Sequence, residues 1–268
     1  MSGAYESGRD LNVRRLHTEV LVIGSGASGA VVAAKLAEAG HDVLVVEEGE
    51  RVTPEEYGRM RPSESLLSMW REGGSTAVFG VGRSPVINMT MGRCVGGSSV
   101  LTGGVCFRTP EYVLDHWEKE LGLRELGPAG LEPYFDEVEE AVGVAPVPDS
   151  LRSRSTVLWA EGAAKRGIEL KPIRRNTEGC VGAGRCNFGC PHGAKLSVDR
   201  SYLPRAVAAG ATVLSSCLVE KITFDGSRAT GVRAKLLDER GRPRASLEIV
   251  ARRVVLAAGA VHTPLILW

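Results

Sequence analysis

Apolar and polar positions follow two different periods along the first fifty residues. Residues 19–23 (EVLVI) form a short β-branched run that predicts a buried strand, and a glycine-rich turn follows directly. Between Ala27 and Ala39 apolar residues recur at helical spacing, and Gly40 supplies a helix stop. Residues 41–46 then predict a second buried strand. Strand, helix and strand in this order form a βαβ unit, which implies a parallel sheet.

The remaining pattern is less regular. Residues 49–90 are loop-rich, and residues 111–143 are predicted to be mainly helical. Further helices are predicted at 157–165 and 202–209, and further strands at 211–223, 229–237 and 247–257. We therefore expect an α/β fold in which a parallel sheet is followed by antiparallel strands.

The composition indicates a globular chain with an excess of glycine. Its 33 Lys and Arg residues balance 32 Asp and Glu residues, which argues against a nucleic-acid partner because phosphate binding draws on a clustered cationic excess. No run approaches the roughly 18 apolar residues of a membrane helix, so we expect no transmembrane segment. Glycine supplies 33 of 268 residues, which is about 12% of the chain, whereas the average for proteins is roughly 7%. This excess indicates backbone that approaches other atoms closely.

Residues 1–17 are polar and are predicted to form a flexible leader. Arg14 and Arg15 precede an apolar stretch, which is a feature of twin-arginine export signals. That stretch contains Glu19 and leads into a glycine-rich turn, so it fits a strand better than a signal. We therefore expect a cytoplasmic protein, with periplasmic export as the alternative.

The first glycine cluster matches G-x-G-x-x-G and lies between a predicted strand and a predicted helix. Gly24 allows a tight turn, Gly26 lets the backbone approach a pyrophosphate, and Gly29 lets helix and strand pack closely. The phosphates would lie at the positive end of the helix. Glu47 ends the second predicted strand, where an acid hydrogen-bonds an adenosine ribose. The residues predicted to bind the dinucleotide here are Gly24, Ser25, Gly26, Ala27, Ser28, Gly29 and Glu47.

The type of dinucleotide follows from two features. Glu47 disfavours a 2′-phosphate, so NADP is the least favoured candidate. FAD and NAD both fit a motif near the N-terminus. A second glycine cluster at residues 92–104 favours FAD, because the isoalloxazine ring needs a further backbone cradle.

This second cluster and a C-terminal stretch resemble the signatures of a known family. Residues 93–99 (RCVGGSS), followed by Thr102, Gly103 and Arg108, resemble the glycine–serine signature of the glucose–methanol–choline (GMC) oxidoreductases. Residues 258–267 (AGAVHTPLIL) resemble the second signature of that family. The resemblance extends over residues 18–268, and it implies FAD in a Rossmann-like domain and oxidation of an alcohol group.

The resemblance also implies roles for individual residues. Those implied to line the flavin, or to belong to the second signature beside it, are Gly97, Ser98, Thr102, Gly103 and Gly259. Val219 matches the strand position whose backbone meets the adenine, and an ordinary core position is the alternative. The family usually has Asn where this chain has Thr102. The resemblance therefore implies that residue 102 lies near the flavin, but it does not imply the contact that the Asn amide would make.

The implied fold class is α/β, a Rossmann-like FAD-binding fold with a parallel sheet plus a β-meander and partial substrate-domain elements. The predicted organisation is a leader at 1–17, a discontinuous FAD-binding domain at 18–115 and 211–268, and a helical, Cys-rich insertion at 116–210 that belongs to the cap or substrate region. The C-terminal substrate domain is expected to be absent from this chain.

No catalytic residue is assigned from the sequence. The resemblance places the catalytic His after the second signature, beyond Trp268. The histidines of this chain, none of which matches that base, are His17, His41, His116, His192 and His262. We expect the front portion of an FAD-dependent alcohol dehydrogenase or oxidase, with a small-molecule alcohol as substrate and oxygen, a quinone or a cytochrome as electron acceptor. The alternatives are a non-catalytic flavin or iron–sulfur electron-transfer module that works with a partner chain, and an inert truncation product.

Three cysteines, Cys180, Cys186 and Cys190, lie within eleven residues. Their spacing is similar to the ferredoxin-type run of four cysteines, with Ala183 in the second position. Some bacterial GMC dehydrogenases with a similar segment hold a [3Fe–4S] cluster on three cysteines, whereas long-chain alcohol oxidases carry a Cys-rich loop with no established metal. Three interpretations stay open: a [3Fe–4S] cluster, a loop with free thiols or a disulfide, and a zinc site that includes the nearby His192.

Overall fold

A computed structural model describes residues 3–268 of the chain, which divide into two compact units. The first contains the residues up to Thr102 together with Arg185–Gly193 and Ser197–Trp268, and we call it the sheet unit. The second contains Gly103–Gly184 and Ala194–Leu196, and we call it the helical unit. The chain crosses between the units after Thr102 and again around the cysteine segment. The domain boundaries expected from the sequence at residues 115 and 210 stay a prediction.

The described chain contains both strands and helices, and it ends with four successive strands before a final helix. Its strands are β1 (Ala4–Ser7), β2 (Arg15–Ile23), β3 (Val43–Val46), β4 (Thr76–Val78), β5 (Ile87–Met89), β6 (Val144–Pro146), β7 (Arg174–Asn176), β8 (Thr212–Ser215), β9 (Cys217–Asp225), β10 (Arg228–Leu237) and β11 (Pro243–Leu256). Its α-helices are α1 (Ala27–Glu38), α2 (Pro54–Arg59), α3 (Pro62–Met69), α4 (Glu111–Lys119), α5 (Pro128–Ala141), α6 (Arg154–Ala164), α7 (Tyr202–Ala208) and α8 (Gly259–Leu267).

The sheet unit is built on one large sheet whose strands, within residues 3–268, are ordered β1-β8-β3-β2-β11-β10-β9. The first five strands in this order run parallel, and β10 and β9 continue the sheet in antiparallel fashion. The predicted α/β fold with a parallel sheet and a β-meander is therefore confirmed. Strands β3 and β8 are buried at every residue. Burial on both faces explains why β3 appears in the sequence as a continuous apolar run, whereas β8 begins and ends with the buried polar residues Thr212 and Ser215.

Strand β11 belongs to both parts of this sheet. Its residues 248–256 pair with β2, and its residues 243–250 pair with β10. Side chains from the parallel strands and from the meander meet in one core, where Leu21, Leu214 and Leu236 are each 0% exposed. The carboxyl ends of β2, β3 and β11 are thereby held together by a continuous apolar layer.

The single strand predicted at residues 211–223 is in fact two strands. Ser216 lies between them with a φ of 53°, in the left-handed region that residues other than glycine adopt sparingly. Its N–H donates to the Gly49 carbonyl oxygen at 3.0 Å, and its carbonyl oxygen accepts from the Leu237 N–H at 2.9 Å. These tertiary hydrogen bonds hold the break between β8 and β9, so no local sequence pattern marks it.

The segment predicted as a flexible leader contains ordered structure. Strand β1 pairs in parallel with β8, and β2 begins within the predicted leader, at residue 15. The Arg51 guanidinium lies 4.0 Å from the centre of the Tyr5 ring, and Arg9 forms an ion pair with Glu50. Burial raises the pKa of the Tyr5 phenol to about 12. We call residues 3–11 the N-terminal arm, which is attached by the backbone pairing of β1 with β8 and by Leu11, a partly buried residue that packs against the core.

Helices also occur where the sequence predicted loops. Residues 49–90 contain α2, α3 and the β4–β5 hairpin. Thr53 caps α2, since its N–H donates to the Glu56 carboxylate at 2.6 Å and its hydroxyl accepts from the Glu56 N–H at 3.4 Å. The helix predicted at 111–143 is interrupted between α4 and α5, where Gly122 has a φ of 69°. None of the helices formed by residues 3–268 has both the length and the apolar character to cross a bilayer.

The helical unit contains α4, α5, α6 and the β6–β7 hairpin. Arg108, which the sequence groups with the first GMC-like signature, donates to the Glu139 carboxylate at 3.0 Å. Arg174 donates to the same carboxylate at 2.8 Å. The hydrogen bond from Arg108, assisted by Arg174, lowers the pKa of Glu139 to about 2. Arg108 therefore has a structural partner inside the helical unit.

Candidate functional site

The first glycine motif connects the end of β2 to the start of α1. Gly24 has a φ of 96°, and a Cβ at this position would lie 2.4 Å from the Ala257 carbonyl oxygen. A Cβ on Gly29 would lie only 1.9 Å from the Gly24 carbonyl oxygen. Neither glycine can therefore accept a side chain unless the backbone moves.

Gly26, between these two glycines, is open on the side where a side chain would be. It is the N-cap of α1 with extended backbone (φ −66°, ψ −171°), and its first turn contains no acidic residue. A Cβ on Gly26 would meet no heavy atom of the described residues within 4 Å. Gly26 offers no side chain to accept hydrogen bonds from the first N–H groups of the helix. This open, positively polarised helix end fits an anionic group such as a pyrophosphate.

The second glycine motif lies directly against the first. Gly96 and Gly97 have φ values of 93° and 57°, and a Cβ on Gly97 would lie 2.9 Å from the Gly26 Cα. The Gly96 N–H donates to the Ser25 hydroxyl at 3.0 Å. Two clusters that are about seventy residues apart in sequence thus form one continuous backbone surface.

The residues that follow Gly97 are divided between the units. Ser98 and Thr102 are exposed in the sheet unit, and the Thr102 hydroxyl donates to the Ser99 carbonyl oxygen at 3.2 Å. Gly103 belongs to the helical unit, where its carbonyl oxygen accepts from the Arg175 guanidinium at 2.9 and 2.6 Å. Ser98 and Thr102 therefore share a unit with the first motif, whereas Gly103 is anchored to β7.

Glu47, which follows β3, is 9% exposed and accepts three hydrogen bonds. Its Oε2 accepts from the Ser25 N–H at 3.0 Å and from the Ser25 hydroxyl at 2.8 Å, and its Oε1 accepts from the Gly49 N–H at 3.0 Å. Burial raises the pKa of the Glu47 carboxyl, while these hydrogen bonds act in the opposite direction. A carboxylate offers about four acceptor positions, so three hydrogen bonds leave room for a ribose hydroxyl.

Val219 lies in β9, which starts beside the turn that carries Glu47. The Cys217 N–H, at the start of β9, donates to the Glu47 carbonyl oxygen at 2.9 Å. The Val219 side chain is 8% exposed and belongs to the core, and the residue pairs with Ala234 of β10. The backbone of β9 at the sheet edge is thus adjacent to the acid, which suits neighbouring contacts to an adenine and its ribose.

The start of α8 lies close to the first glycine motif. Ala257, which precedes this helix, donates its N–H to the Ile23 carbonyl oxygen at 2.8 Å. Gly259 is the first residue of α8, and its φ is 79°. A Cβ on Gly259 would meet no heavy atom of residues 3–268 within 4 Å. His262 is partly buried in α8, and burial together with the charge of Arg71 lowers its pKa.

The cysteine segment does not form a metal-binding group in this structure. Cys186 and Cys190 belong to the sheet unit and Cys180 to the helical unit. Across residues 3–268, no three or more His, Cys, Asp or Glu side chains are arranged to hold a metal ion. Cys180 and Cys190 carry free thiols. The structure therefore gives no support to the iron–sulfur and zinc ligand sets considered from the sequence. Instead, the Ser65 hydroxyl donates to the Phe188 carbonyl oxygen at 3.2 Å and ties the segment to α3.

Comparison with known proteins places this geometry in a family. The family model for GMC oxidoreductase matches residues 18–268. The chain is 41% identical over 246 residues to an uncharacterized GMC-type oxidoreductase of Mycobacterium tuberculosis, which covers 92% of this chain and 38% of that protein. It is 30% identical over 261 residues to a long-chain-alcohol oxidase of Arabidopsis thaliana, which covers 94% of this chain and 34% of that protein.

A solved structure has the same fold. Pyridoxine 4-oxidase from Mesorbium loti matches with a TM-score of 0.66 and 20% identity, over 93% of this chain and 51% of that one. The chain spans 38% and 34% of the length of the two curated relatives and about half of this solved structure. The resemblance predicted from the two signatures is confirmed, and the chain belongs to the GMC oxidoreductase family.

Proposed function

We propose that this chain is the FAD-binding part of an oxidoreductase that acts on the CH–OH group of an alcohol. One observation carries the proposal: the open helix end at Gly26 lies against Gly97 of the second glycine motif. A pyrophosphate site alone would suit NAD equally well. A second backbone surface that continues from the first favours a dinucleotide that ends in a large ring system, as FAD does.

The described contacts suggest how this chain would hold FAD. The open backbone at Gly26 and the first turn of α1 would bind the pyrophosphate. Glu47 would accept a hydrogen bond from the ribose, and the β9 backbone at Val219 would lie near the adenine. The residues proposed to lie along the flavin are Gly97, Ser98 and Thr102, with Gly103 and Gly259 as further candidates from the family resemblance.

The chemistry would be divided between the cofactor and the protein. When bound, FAD supplies the hydride acceptor for alcohol oxidation. This chain would bind and orient the cofactor, and no histidine of the chain is assigned as the base that removes the hydroxyl proton. The similarity to a long-chain-alcohol oxidase supports a small-molecule alcohol as substrate. Oxygen, a quinone and a cytochrome all remain candidate electron acceptors.

The proposal does not include an iron–sulfur cluster. Because residues 3–268 contain no group of three or more His, Cys, Asp or Glu side chains suited to a metal ion, the iron–sulfur form of the electron-transfer alternative has no ligand set to support it. We expect the chain, purified without oxygen, to contain much less than stoichiometric iron and sulfide. Chemical analysis and electron paramagnetic resonance measure this. Stoichiometric iron that is lost in Cys186→Ser would contradict the expectation.

Replacement of Gly26 by alanine tests the FAD site directly. We expect FAD to bind at least about tenfold more weakly, because the added methyl group would occupy the space through which the phosphates approach. The free energy of unfolding should change little, since that methyl group meets no atom of the described residues within 4 Å. Titration of the flavin-free chain with FAD, followed by flavin fluorescence, measures the affinity.

Gly162→Ala provides the matched control for this substitution. Gly162 lies in α6 of the helical unit, and a Cβ there would also meet no heavy atom of residues 3–268 within 4 Å. We expect this variant to bind FAD like the unchanged chain. The proposal fails if the unchanged chain does not bind FAD, or if Gly26→Ala binds it with undiminished affinity.

A further inference from the structure

The side chain of Ser25 is buried between the two glycine motifs and the acid that follows β3. Ser25 is 0% exposed, although it occupies a variable position of G-x-G-x-x-G. Its hydroxyl lies 2.8 Å from the Glu47 Oε2 and 3.0 Å from the Gly96 nitrogen. These hydrogen bonds join three segments that are 22 and 71 residues apart in sequence.

The direction of each hydrogen bond follows from the groups involved. The Gly96 N–H can only donate, so the Ser25 oxygen accepts from it. The single hydroxyl hydrogen of Ser25 is then available for the Glu47 carboxylate, which accepts when ionised. The Ser25 N–H donates to the same carboxylate oxygen at 3.0 Å. Ser25 is therefore a donor toward the first motif's acid and an acceptor toward the second motif.

Loss of this hydroxyl would affect both sides of the site. The buried Gly96 N–H would lose its acceptor, and the buried Glu47 carboxylate would lose one of three donors. Buried polar groups without partners are costly, so the backbone around Gly96 would shift toward another acceptor or toward water. Gly97 is the next residue, and its Cβ position lies 2.9 Å from the Gly26 Cα. A shift at Gly96 would therefore change the spacing between the two motifs.

We propose that Ser25 is a positioning residue that holds the flavin-side glycine motif in register with the pyrophosphate-side motif. The proposal rests on the FAD-binding function proposed above. Because the Ser25 side chain has no exposed surface, it acts through Gly96 and Glu47 and does not itself contact the cofactor. A backbone contribution alone would make any small residue equivalent at this position, whereas the hydrogen bonds require a side chain that both donates and accepts.

Ser25→Ala tests this role with two readouts in the full 268-residue chain. We expect FAD to bind about tenfold more weakly, a factor that corresponds to about 1.4 kcal/mol. We also expect the visible absorption band of the bound flavin to lose fine structure and its fluorescence to increase, because the second motif is no longer held against the first. Ser25→Cys, which keeps a weak donor and acceptor, should give intermediate values of both.

Thr18→Val is the matched control. Thr18 lies in the same strand–turn segment but toward the start of β2, and it is 9% exposed. The single hydrogen of its hydroxyl is shared between the carbonyl oxygens of Val20, at 3.2 Å, and Asp42, at 3.1 Å. This variant also loses a buried hydroxyl, yet we expect unchanged FAD affinity and an unchanged flavin spectrum. The control thus separates a general loss of stability from a loss of register.

The outcomes distinguish this inference from the proposed function. If the unchanged chain binds no FAD, the proposed function and the inference are both wrong. If the unchanged chain binds FAD and Ser25→Ala binds it equally tightly with the same spectrum, only the inference is wrong. Equal weakening by Ser25→Ala and Thr18→Val would also overturn it, because the effect would then reflect stability alone.

Discussion

Replacement of Gly29 by alanine is expected to destabilise the chain by more than about 3 kcal/mol and to abolish FAD binding. The new Cβ would lie 1.9 Å from the Gly24 carbonyl oxygen and 3.3 Å from the Ala257 Cβ. The first of these atoms is backbone and cannot rotate away. Helix α1 would therefore have to move off β2, which would also displace the turn that bears the open Gly26. Chemical denaturation and FAD titration measure the two losses.

Two other glycine substitutions serve as controls for Gly29→Ala. Gly162→Ala in α6 adds the same methyl group to an open helical position, where alanine is favoured over glycine by roughly 0.5–1 kcal/mol. Gly26→Ala, three residues away in the same motif, should keep its stability and lose only affinity. If Gly29→Ala unfolds at the same denaturant concentration as the unchanged chain, the close packing of α1 on β2 is not essential.

Deletion of residues 1–9 is expected to destabilise the chain by about 2–4 kcal/mol, on the basis of the several backbone hydrogen bonds lost. The deletion removes β1 and leaves β8, which is buried at every residue, at the edge of the sheet. It also removes the ring that contacts Arg51 and the ion pair with Glu50. Glu50 and Arg51, which lose these contacts, closely follow Glu47 in the sequence. Because Glu47 is proposed to bind the ribose of FAD, we expect weaker FAD binding as well.

A pair of tyrosine variants separates the contribution of the side chain from that of the strand. Tyr5→Ala keeps the pairing of β1 with β8 and loses the contact with Arg51, so a loss of about 1 kcal/mol is expected. Tyr112→Ala, at a tyrosine that is 75% exposed in α4, should leave stability unchanged. A truncated chain with an unaltered unfolding midpoint would show that the N-terminal arm does not support the sheet.

The βαβ unit could be predicted from the sequence because its signals are local. Alternating periods identify β2, α1 and β3, and the predicted and observed start of α1 agree at Ala27. Helix α2 was missed although its signal is also local: Thr53 and Glu56 form a capping box around a proline at the first helical position. A search for capping residues in the loop-rich segment would have found it.

Other features depend on contacts between distant segments. Strand β1 has a polar sequence, and it becomes a strand because β8 offers it a backbone edge. The break between β8 and β9 at Ser216 is held by Gly49 and Leu237, which no local pattern connects to it. The cysteine spacing was suggestive, but spacing alone cannot bring side chains into a ligand set.

The candidate site also combines features that have a local sequence signal with features that depend on contacts between distant segments. The turn at Gly24 and the helix–strand contact at Gly29 could be predicted from the motif, as could the role proposed for Gly26 in the approach of a ligand. The contact between Gly26 and Gly97 required the folded chain. The side-chain role of Ser25 was missed because the motif treats its position as variable.

The length of β11 has a consequence for how the sheet unit opens. Because one strand of 14 residues is hydrogen-bonded to β2 along one part and to β10 along another, the parallel part of the sheet and the meander cannot separate without breaking hydrogen bonds of the shared strand. The two parts of the sheet therefore form a single cooperative unit with a common opening free energy. Slow, uniform amide hydrogen exchange should extend from the acid-bearing turn to the meander, rather than stopping where the strand direction changes.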